Sequence, residues 1–187
     1  MNIGLLGGSF NPAHEGHVYI SRLAIKKLNL DQLWWLITTQ NPLKSENQKV
    51  SLSKRLQSTC AISKDYKIRT LTLDLKFKSN FTFDTLKKLK KTMPEVRFFW
   101  IIGADNLYQI HFWHRWKELF YLCPIVVFDR PGFFYKAINS KAAKYFWKYK
   151  TDVKILKSRS RKKLPIWSFI IIKKHNASST EKRNMSS

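Results

Sequence analysis

The residues best suited to chemistry stand together near the start of the chain. Residues 7–17 read Gly-Gly-Ser-Phe-Asn-Pro-Ala-His-Glu-Gly-His and lie between a strand-like apolar segment and a helix-like one. Paired glycines let backbone amides approach a ligand closely, and a helix N-terminus attracts phosphate through its free N–H groups and its dipole. The run therefore predicts an anion site.

Two histidines in this run carry the strongest chemical signal. His14 and His17 are three residues apart, so on one helical turn both imidazoles face the same side and reach the same phosphate. This placement favours stabilisation of negative charge in a transition state. A zinc site is disfavoured, because metalloproteases place the second histidine four residues after the first, where this chain has Val18. The spacing also fits neither a Walker A loop nor a Gly-x-Gly-x-x-Gly loop.

The elements that position these residues follow from alternating strand-like and helix-like segments. This pattern predicts an open α/β sheet of mostly parallel strands, with helices on both faces and ligands at the carboxyl ends of the strands. The predicted strands are residues 2–6, 33–39, 68–73, 96–102, 125–128, 153–156 and 167–172. The predicted helices are residues 16–28, 52–62, 83–91 and 140–149.

The run at residues 7–17 resembles the Gly-Gly-[Thr/Ser]-Phe-[Asp/Asn]-Pro-x-His-x-Gly-His signature of the HxGH nucleotidyltransferases, and every fixed position is filled. The resemblance implies a Rossmann-like fold and an ATP site. Other segments resemble the nicotinate-nucleotide adenylyltransferases within that class. In this run the residues implied to bind ATP are Gly7, Gly8, Ser9, Phe10, His14 and His17.

Two loop segments extend the resemblance. Residues 41–44, Asn-Pro-Leu-Lys, resemble the Pro-Pro-His-Lys loop, which implies that Lys44 acts on phosphate and is catalytic together with the two histidines. Residues 80–86, Asn-Phe-Thr-Phe-Asp-Thr-Leu, resemble a Ser-Tyr-Thr-x-Asp-Thr-Leu segment, in which Thr85 helps to hold the nicotinate carboxylate. Lys44 is thus expected on the reacting phosphate and Thr85 on the acceptor.

Later strand ends supply further substrate contacts. Residues 101–105 match an Ile-Ile-Gly-x-Asp run, which implies that Gly103 and Asp105 bind ATP, the carboxylate facing ribose hydroxyls. Trp113 aligns with a tryptophan that stacks on the cationic pyridinium ring, and Arg130 in Arg-Pro-Gly is implied to bind the mononucleotide phosphate. Core packing is the alternative for Trp113 and is favoured for Trp116.

The last segment resembles a Ser-Ser-Thr-x-Ile-Arg phosphate-binding run. It implies that Ser178, Ser179, Thr180 and Arg183 cradle the β- and γ-phosphates of ATP, with Lys182 in place of isoleucine. The chain ends four residues after Arg183, where the resemblance leads us to expect a further helix. Residues 177–187 are thus expected to be a phosphate-binding segment without that C-terminal helix.

The implied reaction is in-line attack by the phosphate of nicotinate mononucleotide on the α-phosphorus of ATP. It gives nicotinate adenine dinucleotide and pyrophosphate and belongs to NAD biosynthesis. Mg²⁺ is expected with ATP, without a metal site made by the protein. Three alternatives stay open: another phosphate acceptor, a basic RNA-binding relative, and a weakened or inactive enzyme.

Composition bounds these hypotheses. The 187 residues suit one domain, residues 1–187, and Cys60 and Cys123 have no metal-like spacing. No signal peptide or membrane-spanning run is evident, so the expected location is the cytoplasm. The 35 Lys and Arg against 12 Asp and Glu give a net charge of +23, which attracts polyanions. The excess is interpreted mainly as solvated faces, with phosphate steering or nucleic-acid contact as the less favoured alternatives.

Overall fold

One sheet organises the part of the chain that the structure, a computed structural model, describes: residues 1–38, 50–79, 81–158 and 163–172. Its six strands are all parallel and follow the order β3-β2-β1-β4-β5-β6. The predicted open α/β fold is confirmed, with every described strand parallel. The strands are β1 (Asn2–Gly8), β2 (Gln32–Ile37), β3 (Ile68–Leu71), β4 (Arg97–Gly103), β5 (Ile125–Phe128) and β6 (Trp167–Ile170).

Helices cover both faces of this sheet. One core cluster joins the sheet to α1, α2 and α9, and a second joins the opposite face to α3 through α8. Strands buried on both faces must be apolar throughout, which explains the run at residues 33–37 in the middle of the sheet. The helices are α1 (Glu15–Leu28), α2 (Leu52–Ile62), α3 (Leu73–Phe77), α4 (Thr82–Thr92), α5 (Ala104–Gln109), α6 (Trp116–Leu119), α7 (Phe134–Ile138), α8 (Lys141–Tyr145) and α9 (Val153–Lys157).

The strand predicted at residues 153–156 is wrong, because this segment is the helix α9. The side chain of Asp152 accepts the N–H of Lys154 at 2.7 Å and caps the helix. Leu156 is buried and Val153 is half-buried, whereas the two residues between them are exposed. A spacing of three between the inward residues is helical, and a strand would alternate.

The helix predicted at residues 140–149 is interrupted. Ser140 caps α8, as its hydroxyl accepts the N–H of Ala143 at 3.2 Å, but α8 ends before Phe146. The carbonyl of Phe146 accepts the indole N–H of Trp167 at 2.8 Å, and a 3₁₀ turn, Trp147–Tyr149, follows. The strand predicted at residues 68–73 is also shorter, because Leu73 begins α3.

The chain order places a crevice at the carboxyl ends of the strands. From β1 the chain continues to β2 and β3 on one side of β1, and β4, β5 and β6 then follow on its other side. The direction of the crossover connections therefore reverses between β1 and β4, which is the switch point. Open α/β sheets bind ligands at such a point. Among the described residues, none of the helices has the length and apolar character needed to cross a bilayer.

Candidate active site

The loop after β1 is anchored by a buried aromatic ring. Phe10 has a φ of 46°, an unusual value for a residue with a side chain, and its ring is only 2% exposed. That ring stacks on Trp35 with centroids 5.1 Å apart and lies 4.8 Å from the ring of His17. Ring burial offsets the backbone strain, which costs about 1–2 kcal/mol. Phe10, expected at the ATP, thus supports the loop from beneath.

His14 and His17 lock each other at the start of α1. His14 is the N-cap, and its Nδ1 accepts the N–H of Gly16 at 3.1 Å. The Nδ1 of His17 accepts the N–H of His14 at 3.2 Å, and the two ring centroids lie 3.9 Å apart. A neutral imidazole that accepts at Nδ1 carries its proton on Nε2. The capping box therefore leaves both rings with Nε2–H as the donor.

His17 is held in the neutral form. Removal of its ring from water is the largest cause that lowers the pKa of His17 to about 3, with smaller contributions from the neighbouring His14 and Arg130. The ring is therefore uncharged at neutral pH and donates a hydrogen bond without losing or gaining a proton. This state suits charge stabilisation by a fixed donor, which needs no proton transfer.

Helix α2 holds the loop from the other side. Arg55, 7% exposed, donates from Nη1 to the carbonyl of Ser9 at 2.9 Å and to the carbonyl of Thr38 at 2.7 Å. The hydroxyl of Ser58 accepts the N–H of Ala13 at 3.4 Å. Burial lowers the pKa of Arg55 from its ordinary value. One guanidinium thus connects the glycine-rich loop with the end of β2.

A carboxylate and a guanidinium meet beyond β4 and β5. Asp105, in the first turn of α5, accepts a hydrogen bond and ion pair from Nη1 of Arg130 through Oδ2. Its Oδ1 is buried and has no partner among the described residues. A Cβ at position 103 would lie 2.4 Å from that Oδ1, so Gly103 makes room for the carboxylate. Two residues assigned to different substrates are therefore paired with each other.

Arg130 begins a tight turn directly after β5. The N–H of Phe133 donates to the carbonyl of Arg130 at 3.0 Å, and Gly132 between them has a φ of 79°. Proline at 131 and glycine at 132 are typical of a type II turn. The charge of Arg130 contributes to the lowered pKa of His17. Arg130 therefore acts electrostatically on His17.

Thr85 and Trp113 stand apart from the histidines. Thr85 lies in α4, is 4% exposed, and its Oγ1 has no hydrogen-bond partner among the described residues. Trp113 is half-buried and packs against the core cluster on the α4 side of the sheet. Both residues therefore lie on the α4 side of the sheet, whereas α1 packs on the opposite face.

Five of the expected site residues lie outside the described ranges. In the part of the chain that the structure describes, His, Cys, Asp and Glu form no group of three or more that could hold a metal ion. The expected residues outside the described part are Lys44, Ser178, Ser179, Thr180 and Arg183.

Sequence reasoning missed Arg55 and Ser58. Both act on residues more than 40 positions away, so no local motif contains them. A signal was nevertheless present, because Leu52, Leu56 and Thr59 define the inward face of α2 and Arg55 falls on it. A charged residue on an apolar face needs buried partners, which here are backbone carbonyls.

Comparison with known proteins identifies the family of the chain. Residues 5–184 match the cytidylyltransferase-like family model. The chain is 41% identical to a Rhizobium johnstonii protein named "Probable nicotinate-nucleotide adenylyltransferase", over 100% of this chain and 94% of that protein. A Brucella suis biovar 1 protein of the same name is 39% identical, over 99% of this chain and 95% of its own length.

A solved structure shares the fold. The nicotinic acid mononucleotide adenylyltransferase of Plasmodium falciparum, solved in complex with NaAD, superposes with a TM-score of 0.70 at 23% identity. The match covers 98% of this chain and 82% of that protein. This similarity concerns the arrangement of the sheet and its helices.

Proposed function

Because this chain belongs to the nicotinate-nucleotide adenylyltransferase family, we propose that it transfers the adenylyl group of ATP to nicotinate mononucleotide in NAD biosynthesis. The products are nicotinate adenine dinucleotide and pyrophosphate. The observation that carries this proposal is the locked pair of His14 and His17 at the start of α1, beside the carboxyl end of β1. Its substrates are small molecules.

The reaction requires no nucleophile from the protein. A phosphate oxygen of nicotinate mononucleotide attacks the α-phosphorus of ATP and forms a new P–O bond. The bond from the α-phosphorus to the bridging oxygen breaks, and pyrophosphate leaves with that oxygen. Catalysis then consists of positioning and of stabilising the charge that develops on the phosphate oxygens.

The histidine pair stabilises that charge. With Nδ1 of each ring accepting a backbone N–H, the Nε2–H groups of His14 and His17 donate to phosphate oxygens. The amides at the end of β1 and the start of α1 add neutral donors and the helix dipole. A site of this kind is arranged before the substrate arrives, so little reorganisation accompanies the reaction.

The acceptor is held on the side of the site that contains Thr85 and Trp113. The buried Thr85 hydroxyl lacks a partner among the described residues, which suits a ligand carboxylate. Trp113 offers an indole face to the pyridinium ring. Arg130, whose side chain is 47% exposed, binds the mononucleotide phosphate, and Asp105 accepts from ribose hydroxyls of ATP together with Gly103 at the strand end.

Residues outside the described ranges complete the proposal. Lys44 neutralises phosphate charge, and Ser178, Ser179, Thr180 and Arg183 hold the β- and γ-phosphates. Mg²⁺ would be carried by those phosphates and would supply neutralisation of charge on ATP and orientation of the leaving pyrophosphate. The described residues fit this role, because the histidine Nε2–H groups donate to the phosphates that would carry the ion. A single domain and a cytoplasmic location stay predictions.

Pyrophosphate release tests the proposed function. The purified chain is incubated with ATP and Mg²⁺, and nicotinate mononucleotide, nicotinamide mononucleotide, phosphopantetheine and glycerol phosphate are offered in parallel. We expect pyrophosphate release to be selective for nicotinate mononucleotide among the four. In a Thr85→Val variant, the rate with nicotinate mononucleotide should exceed the rate with nicotinamide mononucleotide by a smaller factor. Selective pyrophosphate release with another acceptor would overturn the substrate assignment. If a folded protein that binds ATP released no pyrophosphate with any of the four acceptors, the proposed reaction would be overturned.

A further inference from the structure

A surface of exposed rings and lysines lies at the sheet edge opposite the candidate site. Lys150 forms a bridge with Trp167, the first residue of β6, and Thr151 N–H donates to the Trp167 carbonyl at 2.9 Å. Tyr121 lies just before β5. These residues therefore stand at the amino ends of the strands, whereas the candidate site stands at the carboxyl ends. We name residues 141–150 with Lys117 and Tyr121 the ring–lysine surface.

The composition of this surface is unusual for a solvated face. Residues 141–150 read Lys-Ala-Ala-Lys-Tyr-Phe-Trp-Lys-Tyr-Lys, with four lysines, four aromatic residues and no acidic residue. Tyr121, Tyr145, Trp147 and Tyr149 are 51%, 56%, 60% and 44% exposed. Grouped exposed rings mark interaction sites more often than free surface.

The rings sit on a rigid frame. Phe146, fully buried, stacks on Phe120 at 4.0 Å and contacts the rings of Tyr145 and Tyr149 at 4.9 and 6.2 Å. The ammonium groups lie among the rings: Lys117 Nζ is 4.8 Å from the Tyr145 centroid and Lys150 Nζ is 5.1 Å from that of Trp147. Aromatic rings and positive charges therefore alternate on the ring–lysine surface.

We propose that the ring–lysine surface binds single-stranded nucleic acid. Unpaired bases stack on fixed aromatic rings, and lysines between the rings neutralise the phosphates that connect those bases. One short segment therefore offers both the rings and the positive charges that such a ligand needs. This binding is independent of adenylyl transfer, because the catalytic groups lie at the other edge of the sheet.

Two other partners fit less well. A second copy of this chain would bring the same lysines against themselves, and like charges oppose such a contact. A membrane surface is better served by a long amphipathic helix with apolar side chains projecting beyond its charges. Helix α8 has only five residues and is followed by the 3₁₀ turn that contains Trp147, so this segment forms no long amphipathic helix.

Fluorescence anisotropy with the full-length chain tests the proposal. Labelled oligouridine and oligothymidine of about 20 nucleotides are titrated at salt concentrations from about 50 to about 300 mM. We expect Lys144→Gln/Lys148→Gln to weaken binding about tenfold. The slope of log K against log salt concentration should fall in magnitude by about 1.4, because each lysine–phosphate contact with a single strand contributes about 0.7 to that slope. Trp147→Ala should weaken binding about tenfold at an unchanged slope. The two oligonucleotides separate RNA from DNA preference.

Matched variants elsewhere control for total charge and exposed rings. Lys87→Gln/Lys91→Gln removes two exposed lysines from α4, and Tyr66→Ala removes a ring that is 85% exposed beside Lys67. We expect both controls to bind like the parent chain, and all variants to keep pyrophosphate release. Equal weakening in the controls would overturn the proposal in favour of net charge. Binding to phosphatidylserine vesicles but to neither oligonucleotide would overturn it in favour of a membrane surface.

Discussion

The two sides of the candidate site are built differently. On the loop side, residues 7–17 with Arg55 and Ser58, hydrogen bonds hold Nδ1 of each histidine, the Ser9 carbonyl and the Ala13 amide. On the acceptor side, which comprises Thr85, Trp113 and Arg130 together with the ATP-directed Asp105, the Thr85 Oγ1 and Asp105 Oδ1 are buried without a partner in the described chain.

This difference shows which side of the site is preorganised before a ligand binds. Fixed donors for developing charge must be oriented in advance, because reorienting them during the reaction would cost free energy. Buried polar atoms without partners destabilise the fold and are satisfied only when a ligand supplies the missing group. The loop side is thus arranged for the chemistry, and the acceptor side for recognition.

The largest effect is expected at His17. We predict that His17→Ala lowers kcat by at least about 100-fold, the usual loss when one transition-state donor is removed. Steady-state pyrophosphate release measures this, with circular dichroism to confirm the fold. The control is His114→Ala, which removes an exposed histidine outside the proposed site and should leave kcat unchanged. Near-normal turnover of folded His17→Ala would remove the histidine from the mechanism.

Arg55 should show a smaller but mixed effect. Arg55→Met removes the donor to Ser9 and Thr38 and leaves buried carbonyls unpaired, so we expect about 1–3 kcal/mol lower stability. Because the loop also loses its position, KM for ATP should rise about tenfold, with partial recovery in Arg55→Lys. Thermal unfolding and steady-state kinetics separate the two. Lower stability with an unchanged KM would show that Arg55 supports the fold alone.

Thr85 and Ser58 give the most direct comparison of the two sides. Thr85→Val replaces an unpartnered hydroxyl with a methyl group, so stability should stay the same or rise, while KM for nicotinate mononucleotide rises about tenfold. Ser58→Ala removes a hydroxyl that accepts from Ala13 and donates to the Arg55 carbonyl, so stability should fall by about 1 kcal/mol. Denaturant unfolding measures the stability of both variants. A loss of stability in Thr85→Val would contradict the proposed difference between the two sides of the site.

The last prediction concerns pH, and its effect is absent at neutral pH because His17 is uncharged there in both states. His17 titrates near 6.5 when unfolded and about 3 when folded, so between these values the unfolded chain binds the extra proton. Stability should therefore rise with pH from about 3 to 6.5, and this contribution should be absent in His17→Gln. In the same range kcat should show no titration of His17. Denaturant unfolding at several pH values measures the pH dependence of stability. A titration of kcat near pH 6.5 that disappears in His17→Gln would contradict the prediction for kcat.

Much of the fold could be predicted because its signals are local. The apolar run at residues 33–37 and the helix-like segment at residues 16–28 predict their elements directly. Helices of five residues, such as α3 and α7, contain too few turns to show a period, and α9 carried β-branched residues that suggested a strand.

The candidate site was predictable to the extent that it is contiguous. His14 and His17 stand in one run, but the hold of Arg55 on Ser9 spans 46 positions and depends on how α2 packs. The Asp105 and Arg130 pair could not be foreseen, because each residue had been assigned separately to a different substrate. Such pairings follow from the sheet order, which brings the ends of β4 and β5 together.

The ion pair between Asp105 and Arg130 has a thermodynamic consequence for the order of events. With Asp105 assigned to ATP and Arg130 to the mononucleotide phosphate, a substrate that takes Oδ2 of Asp105 or Nη1 of Arg130 as its own contact must separate the pair. The first ligand to bind bears that cost, and the second finds its residue already released. The substrates would then favour each other's binding by the same factor in both directions, as linkage requires. An unreactive ATP analogue should tighten the affinity for nicotinate mononucleotide, and Asp105→Asn should weaken that coupling.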